Sequence, residues 1–408
     1  MNKWIIICLV CLSNQVHAQH STLLQEYRSK VKAYNQDIKM AGYDAAIQRE
    51  KQKSAKADFL PALSGNANFG YKGNPSEVSV TVPSLNESLN FQGQHNQYGA
   101  SLTLAQPVYT GGALKAGYEK AKKENEQAQY EQQRIINDIM YDADVYYWNK
   151  VARQEMIAVA EEYKTSVSAL VEVVKDRVTE EYTDRNDLLM AEVRLNDAEY
   201  RFTQSCNDAE VARMSMNSFS GVSFDKIIPT DSVVIPLTTV QAYTGTVETA
   251  MASRPELRIA TNEVAIQKSA FQIANAQYLP RLSVGIDGNY SSPGYDFRSG
   301  PDPNYIIYAQ LSIPIFEWGK RKNTRRTGEY SINKTIEQHQ KVADNIRLEI
   351  ETAFYTYSQA VEKVRLTENS LAKAAESEKM AMDKYKEGNV SIIEVINAQL
   401  YHQEARIN

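Results

Sequence analysis

The sequence predicts a mainly α protein with a small β part, built twice on one plan: long α-helical hairpins joined to four amphipathic strands. Three observations predict it. Tyr118 to Ser220 contains neither Gly nor Pro, is dominated by good helix formers, and carries apolar residues at helical spacing such as Ile135, Ile139, Ala143 and Tyr146. Two short motifs each occur twice, in the same order. Each copy of the first opens a run of period-two alternation, the mark of a strand with one apolar and one polar face. As one helix, Tyr118–Ser220 would be about 155 Å long, so it is either a very long rod or a rod that folds back.

The chain opens on Lys3, an apolar run from Trp4 to Leu12, and Val16-His17-Ala18, the pattern of a cleavable signal peptide over residues 1–18. The apolar run is too short to span a membrane. A lipid-modified Cys8 or Cys11 fits less well, because Ile7 and Val10 stand where a small residue is needed. Beyond the signal only Cys206 remains, which excludes an intrachain disulfide and reads as a small helix-packing residue. No later apolar run reaches the length of a spanning helix. A net charge of −5 with no basic tract excludes nucleic acid as a partner.

The first repeat covers residues 19–220. Residues 21–58 are helical in pattern, with a break near Tyr34-Asn35, and run into Ala57-Asp58-Phe59-Leu60-Pro61-Ala62-Leu63. A strand pair follows at about 62–108: Leu63, Ala67, Phe69 and Tyr71 alternate with Ser64, Asn66 and Asn68, and Tyr98 to Leu104 alternates again after a loop at Lys72–Gln97. The strands end at Gln106-Pro107-Val108-Tyr109-Thr110-Gly111-Gly112, and a helical hairpin occupies 113–220. Residues 221–245 change texture to short β-like pieces such as Ser232-Val233-Val234-Ile235-Pro236, and read as a connector.

The second repeat covers 246–408. Ser253 is expected to cap a helix with Pro255 in its first turn. That helix ends in Ala276-Gln277-Tyr278-Leu279-Pro280-Arg281-Leu282, where Pro280 answers Pro61 at an offset of 219. A strand pair at about 281–315 closes with Ile313-Pro314-Ile315-Phe316-Glu317-Trp318-Gly319, where Pro314 answers Pro107 at an offset of 207. The offset falls within the loop, where length changes are tolerated. It then holds through the helical hairpin at 320–408, aligning Tyr147-Trp148 with Phe354-Tyr355 and Asp187 with Glu394. A rod of constant pitch demands this, since one inserted residue turns every later side chain by about 100°. Tyr385-Lys386-Glu387-Gly388-Asn389 carries a Gly-Asn helix stop, and its counterpart at Val178–Asp184 has Glu181 in place of Gly388. The first rod is therefore expected to reverse near Glu180–Asn186, giving arms of roughly 60 and 35 residues. The last arm stops at Asn408, the counterpart of Arg201, so beside the arm that reaches Ser220 the final helix reads as truncated.

Four amphipathic strands leave open edges, which are costly in water and prohibitive in lipid. Strands from several copies can close a barrel, and three copies supply twelve. Its apolar face would meet lipid and its Asn66, Asn68, Ser283, Asp287 and Asn289 face would meet water. Tyr98, Tyr109, Tyr305, Phe316 and Trp318 fall near strand ends, where interfacial aromatics belong. The alternative is a soluble sheet packed on its own helices, in a periplasmic coiled-coil scaffold or adaptor without a pore.

The duplicated order of helix, Leu-Pro, strand pair, Pro-aromatic-Gly turn and long hairpin resembles the TolC family of outer-membrane efflux proteins. The resemblance rests on Arg254-Pro255-Glu256-Leu257, Leu279-Pro280, Ile313-Pro314-Ile315-Phe316, and Tyr385-x-x-Gly388 leading to Glu394-Val395-Ile396-x-Ala398-Gln399. It implies a homotrimer with a 12-stranded β-barrel in outer-membrane lipid and a periplasmic α-barrel tunnel. It also implies a passive exit duct for export, completed by a periplasmic adaptor and an inner-membrane pump.

By the same resemblance, the acidic ring that closes the tunnel falls on Glu394 and Asn397, of which only the first is acidic, with Asp187 at the matching place in the first hairpin. The family's tip arginine falls on Val390, so that latch is absent, and Arg177 and Arg185 are off-register. The tips that would meet the adaptor are Glu180, Glu181, Thr183, Asp184 and Arg185, and Gly388, Asn389, Val390 and Ser391. The plainer readings are solvated charges on helix ends and exposed turns. His20, His95, His339 and His402 lack metal-ligand spacing, and there is no phosphate loop or nucleophile elbow, so neither a cofactor nor catalysis is expected.

Overall fold

The computed structural model describes residues 22–82, 87–234, 247–294 and 300–408. The signal peptide 1–18 and connector residues 235–245 lie outside them. The chain forms two compact units.

The first unit comprises residues up to Ala41, Gln133–Ser253 and Ile346–Asn408. Helix α1 (Thr22–Tyr34) is followed at once by α2 (Gln36–Ala57). The break is at Asn35, whose side-chain oxygen accepts from the Asp37 and Ile38 amides and so starts the second helix. Helices α3 (Ala113–Thr179) and α7 (Lys320–Lys386) each have 67 residues, about 100 Å apiece. Their return arms are α4 (Arg185–Ser220) and α8 (Ile392–Ile407). One core gathers Leu24, Tyr27 and Val31 of α1 against Ile139, Ala143, Tyr147 and Val151 of α3 and Met216 of α4. Each large side chain fully buried there contributes roughly 1.5–3 kcal/mol. Arg28 grips Asp144 with two hydrogen bonds, one of them 2.7 Å, pinning α1 to α3.

Residues 221–234 contain no strand, contrary to the β-like reading of Ser232–Val234. Their backbone groups are taken by side chains instead. Asp231 N–H donates to the Tyr147 hydroxyl at 2.9 Å, Val234 N–H to Glu155 at 3.0 Å, and Asn217 donates to the Ser223 and Lys226 carbonyls. Ser253 is not a cap either. It ends a short helix, α5 (Val247–Ser253), and its hydroxyl donates back to Ala250. Arg254 is the N-cap of α6 (Pro255–Ala276), held extended by the proline that follows it.

The second unit comprises Gly42–Gln132 and Arg254–Asn345. It holds a four-stranded antiparallel sheet in the order β1-β4-β5-β6, from β1 (Ala62–Tyr71), β4 (Asn96–Tyr109), β5 (Arg281–Ser292) and β6 (Asp302–Ser312). The register separates the faces. Leu63, Leu104, Ile286 and Ile307 form one row across all four strands, and Asn66, Ser101, Asn289 and Asn304 form another on the opposite face. Ile306, opposite Asp287, is an exception on the polar side. Among the described residues neither β1 nor β6 has a partner on its outer edge. The expected loop at Lys72–Gln97 contains a further hairpin, β2 (Glu77–Val82) with β3 (Glu87–Gln92). Its alternation, Glu-Val-Ser-Val-Thr-Val, was masked by the Asn, Gly and Pro around it. Among the described residues no helix is long and apolar enough to cross a membrane.

Candidate functional site

Both long helices end in the same backbone device. Tyr182 N–H donates to Arg177 O and Glu181 N–H to Val178 O; in the second hairpin Asn389 N–H donates to Lys384 O and Gly388 N–H to Tyr385 O. This is the Schellman arrangement, and it needs a left-handed residue at the helix exit. Gly388 supplies it at φ 83° and Glu181 at φ 62°.

The return arms start alike. Asp184 caps α4 and accepts from the Asn186 amide at 3.3 Å. Ser391 caps α8 with the same extended backbone but no side-chain bond. Three residues on stand the matched carboxylates, in the first turn, where a helix N-terminus favours negative charge. Asp187 is half-buried and accepts the Thr183 hydroxyl. Glu394 is exposed, as is Asn397, on the side of α8 away from buried Val395 and Ala398. Glu180, Glu181, Asp184, Arg185, Gly388, Asn389 and Ser391 are all exposed at the turns; Thr183 and Val390 are half-buried.

The tips share a core that joins the hairpins: Leu170 and Val174 of α3, Ala191 of α4, Tyr385 of α7, and Ile392 and Val395 of α8. Arg177 closes it. Its guanidinium lies 5.0 Å from the centre of the Tyr385 ring and donates to the Tyr385 and Lys386 carbonyls at the end of α7. A cation there answers the negative end of a helix other than its own. Burial pushes the Tyr385 phenol up; the Asp187 carboxylate adds to the rise and Arg177 opposes it.

A second, polar link lies further along the rods. Gln399, 1% exposed, donates to the Ser166 carbonyl and hydroxyl at 3.0 and 2.9 Å; Ser166 donates to Glu378, and Glu378 meets His402. Sequence reasoning set Arg177 aside as off-register and missed this network. The available signal was Gln399 itself, a polar residue beside buried Ala398 where the first copy has exposed Glu192.

In the other unit, the aromatics read as interfacial are exposed: Tyr109 by 50%, Phe316 by 69% and Trp318 by 90%. Trp318 has φ 47°, and Phe316 packs edge-on against it at 5.0 Å. Among the described residues no group of His, Cys, Asp and Glu is arranged to hold a metal ion.

Residues 27–220 and 246–408 match the family described as outer membrane efflux protein. The chain is 21% identical to outer membrane efflux protein BepC of Brucella suis biovar 1, covering 97% of this chain and 84% of BepC. It is 19% identical to cation efflux system protein CusC of Escherichia coli O157:H7, covering 90% of this chain and 77% of that protein. A crystal structure of CusC superposes with a TM-score of 0.80 at 16% identity, over 94% of this chain and 87% of that one.

Proposed function

The chain belongs to the outer membrane efflux protein family, and from that premise we propose that three copies close one barrel and act as the exit duct of a tripartite system. It is an outer-membrane efflux channel with a large periplasmic part. The observation that carries the trimer is the open sheet. Four strands with an apolar row on one face, a polar row on the other and two unpaired edges are stable in lipid only when closed, and three copies bring the count to twelve. A soluble scaffold has no use for such a sheet.

In this reading the periplasmic adaptor meets the turns at Glu180–Arg185 and Gly388–Ser391 through coiled-coil-like contacts. The inner-membrane pump supplies the energy, and the three Glu394 carboxylates ring the mouth. Membrane fractionation followed by chemical cross-linking tests it. The expected product is a cross-linked trimer in the outer-membrane fraction; a monomer in the soluble periplasm would overturn the reading.

A further inference from the structure

Each repeat has one strand end that is covered and one that is bare. In the first, Gly111 sits in the turn after β4 at φ 65°, against the Leu-Pro corner that opens β5. A β-carbon at Gly111 would fall 2.7 Å from Ala276 O and 2.8 Å from Leu279 Cβ. That corner is covered: Ala276 is 1% and Tyr278 6% exposed.

The second repeat has the same turn and the first repeat the same corner, and both are bare. Trp318 and Gly319 repeat the backbone of Gly111 and Gly112, with φ 47° and 80° against 65° and 87°. Trp318 is 90% and Ile315 93% exposed. The corner at Ala57–Leu60 repeats the hydrogen bonds of Ala276–Leu279: Leu60 N–H donates to Ala57 O at 2.8 Å, and Leu279 N–H to Ala276 O at 3.1 Å. Each corner already touches the helix start of its own repeat, Phe59 on Tyr118 and Tyr278 on Thr324. Yet Phe59 is 42% and Leu60 64% exposed, on a surface whose counterpart is covered by a turn. The strands say the same. β4 pairs with β5, while their counterparts β6 and β1 are the two open edges.

We infer that the turn bearing Trp318 seats on the Ala57–Leu60 corner of a neighbouring copy, making Trp318 an inter-subunit key and not a lipid-facing aromatic. The contact inside the chain is the template. Carrying the β4–β5 register across by the repeat offsets turns the pair Thr103 and Asp287 into Gln310 of one copy opposite Asn68 of the next. Such a head-to-tail contact uses two different patches and generates a ring when the rotation between copies closes. One feature departs from the template. Gly111 admits no side chain, so an indole at the equivalent place holds the inter-subunit joint open by its own thickness. This gives a reason for a tryptophan in a left-handed conformation that glycine would adopt at lower cost.

The inference rests on the trimer reading, and the test separates the two. In full-length chains carrying Cys206→Ser, the pair Leu60→Cys with Trp318→Cys removes the wedge and brings the two β-carbons into the roughly 3.5–4.5 Å range a disulfide needs. Oxidised outer membranes are expected to give dimer and trimer bands on non-reducing gels, with neither single variant doing so. The control pair is Asn68→Cys with Gln310→Cys. Bands from the control alone would overturn the Trp318 contact and leave the ring standing; bands from neither pair would overturn both. A second readout leaves the turn unaltered. In a Trp148→Phe variant, Trp318 fluorescence is expected to be little quenched by lipids brominated on their acyl chains. Strong quenching would return Trp318 to the lipid belt and sink the proposal.

Discussion

The two hairpin tips share a backbone and differ in what holds it. Both exit their long helix through a left-handed residue and re-enter through an extended cap. The first tip is held by its own side chains: Asp184 caps α4, and Thr183 engages Asp187. The second is held from across the core. Ile392 and Val395 are buried among residues of α3, whereas the matching Arg185 is exposed and Leu188 only half-buried. Arg177 of the first hairpin caps the end of α7, while its own counterpart, Lys384, is exposed. Duplication therefore preserved the turn and reassigned the stabilising contacts, so that the second hairpin depends on the first.

The strongest way to break this comparison is to remove Arg177. Hydrogen bonds from a charged group contribute about 1.5–3 kcal/mol. Arg177→Met should speed amide exchange at residues 384–389 by about ten- to a hundred-fold, since about 1.4 kcal/mol is a factor of ten. Exchange at Glu180–Tyr182 should change much less. Equal acceleration at both tips would mean that Arg177 serves the whole core and not the end of α7.

The matched carboxylates sharpen the comparison. In the proposed trimer the exposed Glu394 of three copies would share a narrow mouth and attract cations, whereas Asp187 is half-buried and occupied by Thr183. Glu394→Gln should lower the cation-to-anion permeability ratio of single channels in planar bilayers by roughly a few-fold. Asp187→Asn should lower it less. An unchanged ratio in the Glu394 variant would take that residue out of the constriction.

Much of the fold was legible because its signals are long or repeated. Long helical rods, alternating strands and Leu-Pro corners each occur twice, and Gly388 exposed the turn that Glu181 disguises in the first copy. What stayed hidden depends on pairing across the fold. Val233 and Val234 have strand-forming side chains, but the neighbouring backbone is taken by Tyr147 and Glu155. Ser253 looks like a cap until α5 is seen to end on it. Arg177 and Gln399 gain their roles only from the carbonyls of another helix, which no local pattern announces. Trp318 carries the right chemistry for a lipid belt, and only the covered state of its counterpart Gly111 argues for another partner.

The finest test concerns Glu181 itself. A left-handed residue with a side chain costs about 1–2 kcal/mol through the contact between its β-carbon and the next carbonyl. Glycine avoids that clash but loses more freedom on folding, by roughly 0.5–1 kcal/mol. The two effects oppose, so Glu181→Gly should stabilise the first tip by only about 0.5–1 kcal/mol. Amide exchange at Glu180–Tyr182 should slow by about two- to five-fold, with residues 384–389 unaffected. The sign matters more than the size. Faster exchange would show that the Glu181 side chain makes a contact outweighing its backbone strain, and the first tip would then also be held by something beyond Asp184 and Thr183.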